Sequence, residues 1–108
     1  MPEFRSKIAA KVEGGKLLQM ELELSDDAMR AKFIKITGDF FIHPEDSLVV
    51  LEKALLMAPA GMAASGIASS ISEISKSQGI QMLGITPEAL AGAFVECIKR
   101  AKDAAPTP

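Results

Sequence analysis

The chain has 108 residues, 48% hydrophobic and 24% charged, enough for one domain around one modest core. Twelve Lys and Arg against 14 Asp and Glu give a net charge of −2 and a pI near 5.4, which argues against a domain that coats DNA or RNA. One Cys and one His, with no Trp or Tyr, exclude an internal disulfide and a four-ligand zinc site and leave little room for self-contained catalysis.

The N-terminal MPEFRSKIAAKV has scattered charges and no apolar stretch of signal-peptide type, and no apolar run approaches the roughly 18 residues of a membrane span. A reduced, cytoplasmic domain with no membrane contact is expected. From Ile8 to Val12, Ile8, Ala10 and Val12 alternate with Ala9 and Lys11. From Leu18 to Leu24, Leu18, Met20, Leu22 and Leu24 alternate with Gln19, Glu21 and Glu23. Period two predicts two half-buried antiparallel strands, joined by a hairpin at Glu13-Gly14-Gly15-Lys16. A two-residue loop would set the apolar face of one strand against the polar face of the other. A three-residue loop, Glu13 to Gly15, pairs Val12 with Lys16 and Ala10 with Leu18, aligns both apolar faces and gives Gly15 the left-handed position. It also sets Lys7 opposite Glu21 and Arg5 opposite Glu23, pairs worth about 0.2–1 kcal/mol each. Ser25-Asp26-Asp27 is turn chemistry. Met29 to Thr37 follows as a third strand of broken phase: Ala31 and Phe33 share one parity, Ile34 and Ile36 the other. Either a bulge re-aims the chain near Phe33 or the strand is covered on both faces.

After Gly38-Asp39-Phe40-Phe41, the segment Ile42-His43-Pro44-Glu45-Asp46 reads as a helix start, with proline first and acids in the opening turn. Leu48, Leu51 and Leu55 follow at helical spacing, and the run stops before Pro59. A second helix is predicted from Gly61 to Ser77, with Ala63, Ile67, Ile71 and Ile74 as its stripe. Gln78-Gly79 ends it, and Ile80 to Ile85 reads as an apolar connector. The third helix is capped by Thr86 and opens with Pro87 and Glu88. Leu90, Ala93, Phe94, Cys97, Ile98 and Ala101 form its stripe, and Glu96 and Arg100 pair on the outside. Residues 103–108 read as a flexible tail on an ordered core of about 4–102. Strands first and helices after predict an α+β fold: a three-stranded antiparallel sheet (β-β-β) followed by three helices packed on one face.

Motifs that carry chemistry are sparse. Neither GxxxxGK[ST] nor GxGxxG occurs, so Gly14-Gly15-Lys16 is a hairpin or a loop whose lysine reaches a partner or its anionic ligand. Cys97 lies mid-helix on the apolar stripe, as a core thiol does; a sulfur carrier would need it exposed. His43, close in sequence to Asp39, serves a cap or turn or contacts a partner or ligand, since no nucleophile accompanies it. Glu45 and Asp46 argue against a phosphate at that helix end. If alternation persists through Phe40-Phe41, one ring points away from the core and marks an interface. The small residues from Met62 to Gly66 fit either close helix packing or a flat surface for another chain.

The run Gly14-Gly15-Lys16-Leu17-Leu18, then Ile34-Lys35-Ile36-Thr37-Gly38-Asp39-Phe40-Phe41-Ile42-His43-Pro44-Glu45 and Leu51-Glu52, resembles the C-terminal accessory domain of lipoate–protein ligases. The likeness spans roughly residues 4–100; Gly-Asp-Phe-Phe after an Ile-x-Ile strand is its most specific part. The resemblance implies the small subunit of a ligase split into two chains, and the Met shortly before the first strand suits a separate subunit. It further implies that ATP, Mg2+ and lipoate are used by the complex to form lipoyl-AMP. The lipoyl group then passes to a lysine on lipoyl domains of dehydrogenase and glycine-cleavage complexes. The family's catalytic lysine and lipoate-binding loop belong to the large subunit, and nothing in this chain matches them, so no catalytic residue, metal site or cofactor is expected here. The small chain is expected to act as a mobile cap, needed for activation. Its partner-facing candidates are Lys16, Gly38, Asp39, Phe40, Phe41 and His43. The implied fold also resembles iron–sulfur scaffold and sulfur-acceptor proteins. A sulfur-acceptor or iron–sulfur assembly protein using Cys97 and a generic protein-interaction module are the alternatives.

Overall fold

The computed structural model describes residues 5–11, 17–25 and 29–103. Period-two patterning builds a sheet from β1 (Arg5–Lys11), β2 (Leu17–Leu24) and β3 (Ala31–Gly38), antiparallel in the order β1-β2-β3. The register is the one that aligns apolar faces: Ala10 stands opposite Leu18, Lys7 opposite Glu21 and Arg5 opposite Glu23. The hairpin loop itself, with Val12, Gly15 and Lys16, lies outside the described residues, as do Asp26, Asp27 and residues 104–108. Leu18, Met20, Leu22 and Leu24 are buried along one face of the central strand. Ala10 shares their side yet is exposed, because it lies at the end of an edge strand whose buried apolar residue is Ile8.

A bulge resolves the phase of the third strand. Glu23 pairs with Phe33 and Leu24 with Ala31, so Lys32 is the extra residue. Ala31 and Ile34 can therefore both turn inward while Phe33 stays 44% exposed.

Helices cover the inner face. They are α1 (Ser47–Met57), α2 (Ala64–Gln78) and α3 (Pro87–Asp103). α3 packs on β1 and β2, α1 lies against β3, and α2 packs on α3. All six residues of the expected α3 stripe are buried. Thr86 caps this helix as its position demands, its Oγ1 accepting a hydrogen bond from the Ala89 amide at 3.1 Å. α1 also finishes the edge of β3, where the Ile36 amide donates to Glu52 Oε2 at 3.0 Å. An unsatisfied strand amide is an invitation to aggregation. Gly79 closes α2 in the left-handed conformation (φ 65°).

Two short strands add to the expected order. β4 (Phe41–His43) pairs antiparallel with β5 (Gln81–Leu83). The segment before α1 is therefore extended as far as His43, and the expected helix start at Pro44 is corrected. Residues 44–46 form a turn in which the Ser47 amide donates to the Pro44 carbonyl at 2.9 Å, and the helix begins at Ser47. The connector after α2 becomes β5 for the same reason. α2 starts at Ala64 rather than Gly61, since Pro59 to Met62 is a turn closed by the Met62 amide on the Pro59 carbonyl at 3.1 Å. No helix among the described residues is long and apolar enough to cross a membrane.

Candidate functional site

The end of β3, β4 and the turn into α1 gather five of the six residues singled out in the sequence; Lys16 lies outside the described residues. Gly38 is the last residue of β3, opposite Leu18. The next amide, Asp39, donates to the Leu17 carbonyl at 2.9 Å and ends the pairing. A Cβ on Gly38 would stand 2.7 and 2.9 Å from Phe40 Cε1 and Cδ1, and would also press on the Leu17 carbonyl. Glycine therefore lets the Phe40 ring fold back across the strand end.

The two phenylalanines then part. Phe40 is half-buried and packs against the core, whereas Phe41 is 71% exposed. The parting follows from alternation: Ile42, between Phe41 and His43, is the buried residue of β4. Phe41 stands directly opposite Leu83 of β5, and His43 opposite Gln81. Leu83 is itself 57% exposed, so two large apolar side chains lie side by side on the outer face of this ribbon. A shallow groove of about 320 Å3 runs beside Phe41, floored by Ile36, Phe40 and Leu48 and bordered by Thr37 and Glu45.

Chemically this is a recognition surface. His43 and Asp39 are both exposed, and no hydrogen bond or ion pair joins them among the described residues. They form no acid–base pair and have no nucleophile between them. Among the described residues no cluster of three or more His, Cys, Asp or Glu is placed to hold a metal. Among the described residues Glu45 is the one ionisable side chain lining the groove, and a carboxylate there repels a triphosphate.

Cys97 lies elsewhere, under the sheet. It is fully buried, and its Sγ sits 2.9 Å from Ser6 Oγ. Burial pushes the thiol pKa up, against smaller lowering influences from Ser6 and Arg100. A sulfur carrier needs an exposed thiolate, and this environment provides neither exposure nor charge. The small-residue stretch that runs into α2 has a local use: Gly66 leaves room for Met62, whose Cγ would be 3.2 Å from a Cβ at that position.

Leu83 is the surface residue that sequence reading missed, and Glu45 was read only as a first-turn acid. A signal existed for Leu83. From Ile80 to Leu83, Ile80 and Met82 take one phase and Gln81 and Leu83 the other, so an alternating strand puts a leucine on the polar side.

The molecule is thus an α+β fold that carries two exposed apolar side chains, Phe41 and Leu83, paired on its β4–β5 ribbon. No protein-family model matches the chain, and no curated protein matches it. A solved chain from the archaeal lipoylation system of Thermoplasma acidophilum, a bi-partite lipoate protein ligase and its E2 lipoyl domain, is similar at 29% identity and a TM-score of 0.65. The match covers 85% of this chain and 96% of that one. The fold is related to that of a lipoylation-system component.

Proposed function

We propose that this chain is the small, accessory subunit of a two-chain lipoate–protein ligase. The observation that carries the proposal is the 29% identity, over 85% of this chain and 96% of the other, to a chain of a bi-partite lipoate ligase system. The Gly38-Asp39-Phe40-Phe41 turn supports it, since that run carries the family resemblance and presents an exposed ring. Its partner is the catalytic subunit, in a heterodimer that works in the cytoplasm. The substrates of the complex are lipoate and lysines of lipoyl domains in dehydrogenase and glycine-cleavage complexes.

In this proposal ATP, Mg2+ and lipoate are held by the catalytic subunit. Activation sets a carboxylate against a triphosphate to form lipoyl-AMP with loss of pyrophosphate, and it suffers from competing water. The small subunit contributes by docking through Gly38, Asp39, Phe40, Phe41 and His43, and Lys16 is the sixth candidate from the sequence. It closes the site, excludes water and holds the catalytic chain in its activating geometry. A cap of this kind needs no reactive side chain of its own.

The deciding experiment mixes the chain with a lipoate ligase lacking its C-terminal domain and measures lipoate-dependent pyrophosphate release. Release should appear only when both are present. Asp39→Ala or Phe41→Ala should lower it by about tenfold or more, while transfer from preformed lipoyl-AMP stays nearly intact. Equal loss of both half-reactions, with subunit binding unchanged, would count against the cap.

A further inference from the structure

Phe41 and Leu83 pose a problem that the fold itself does not solve. They are cross-strand neighbours, 71% and 57% exposed, on a ribbon of two three-residue strands. Leaving two such side chains largely in water forgoes the gain that burying them would bring. Both lie outside the core cluster, which takes up Ile42 and Met82 from the other side of the same ribbon. Carboxylates flank Phe41 in sequence, and one of them borders the groove beside it. Asp39 precedes it by two residues, Glu45 lines the adjoining groove, and Asp46 follows in the same turn; all three are exposed. Among the described residues no Lys or Arg lines that groove. On β3 the described cation closest in sequence to the groove is Lys35, two residues before Thr37.

We infer that Phe41 and Leu83 are a paired anchor for an apolar side chain of another protein whose flanking residues are Lys or Arg. Charge selects this occupant. A second copy docked face to face would bring Asp39, Glu45 and Asp46 against their own counterparts. An anionic lipid surface would be repelled by the same carboxylates. A basic rim around an apolar knob satisfies both halves of the surface, burying the rings at the centre and pairing the acids at the edge. Resting on the ligase proposal, the inference assigns that knob and rim to the catalytic subunit and adds β5 to the docking surface. The element carrying Leu83 is separated from the Gly38-Asp39-Phe40-Phe41 turn by two helices in the chain.

Calorimetric titration of the chain with the lipoate ligase catalytic subunit of its own organism tests this, at low and high salt. Phe41→Ala should weaken binding roughly tenfold or more, and Leu83→Ala about fivefold. Glu45→Lys should weaken it and flatten its salt dependence. Met57→Ala, which removes an equally exposed side chain at the far end of α1, should leave affinity unchanged. Thermal midpoints close to the parent's would show that each variant is folded. Wild-type binding that is indifferent to Phe41, Leu83 and Glu45 overturns the anchor while leaving the ligase proposal standing. Absence of wild-type binding overturns both. Loss of self-association in Phe41→Ala would identify a second copy as the occupant and likewise overturn the inference.

Discussion

The Cys97 thiol illustrates how surroundings decide what a reactive residue does. Its sulfur is enclosed by Ser6 from β1 and lies 3.7 Å from the Met20 carbonyl of β2, with no exposed surface. Burial raises its pKa, so at neutral pH the thiol stays protonated and reaches a reagent only when the structure opens. Native protein should therefore react with a thiol label on the order of 100-fold more slowly than denatured protein. Fast native labelling would revive the sulfur-acceptor alternative. Sequence spacing already placed Cys97 on the buried stripe of a helix. It could not supply Ser6, which is 91 residues away. Phe41 is the converse case: alternation said that one of two rings must face outward, and the close approach at Gly38 selects Phe40 as the one that folds in.

Among the elements, the three-stranded sheet is held on its outer face by a charge arrangement that crosses every strand. Glu23 of β2 meets Arg5 of β1 at 3.2 Å and Lys32 of β3 at 3.3 Å. Lys32 is the bulge residue, so the irregularity that resets the phase of β3 also delivers the second cation. Partial burial of the Glu23 carboxyl, the largest single influence, pushes its pKa up. The hydrogen bonds and charges of Arg5 and Lys32 together outweigh it, and the pKa lies below its ordinary 4.5. A carboxyl whose pKa falls on folding stabilises the native state above its unfolded value, and that contribution disappears as pH drops through the folded value. Unfolding midpoints should thus decline on acidification below about pH 4.5, and Glu23→Gln should make that acid limb shallower while costing little at low pH. An identical acid limb in the variant would show that the pair is too solvated to matter. The Arg5–Glu23 register was legible from the hairpin; Lys32 was not, because a bulge changes the face of every residue beyond it.

At the scale of the whole molecule, Phe94 joins the sheet to the helices. It is the largest of the fully buried side chains and belongs to α3, the helix that spans β1 and β2 on one side and α2 on the other. Truncation here empties space in the core between the sheet and the helices. Phe94→Ala should cost about 3–5 kcal/mol, a large share of the roughly 5–15 kcal/mol that holds a domain together. Urea denaturation would show the loss as a lower midpoint, and Phe94→Leu should recover more than half of it. A loss below about 1 kcal/mol would mean that the core collapses around the vacancy.

The sequence by itself determined the two hairpin strands and their register, the capped third helix with its six-residue stripe, and the α+β order, because each rests on contacts between near neighbours or on a strong period of two or 3.6. It also marked the Gly38-Asp39-Phe40-Phe41 turn as the distinctive feature. Only the tertiary structure decided that Phe41–His43 and Gln81–Leu83 are strands, that α1 starts at Ser47, and that Leu83 stands beside Phe41. A three-residue strand is too short to declare its own period. Its conformation is set by a partner some 40 residues away, whose hydrogen bonds outweigh the local preference of Pro44 and the acids after it for a helix.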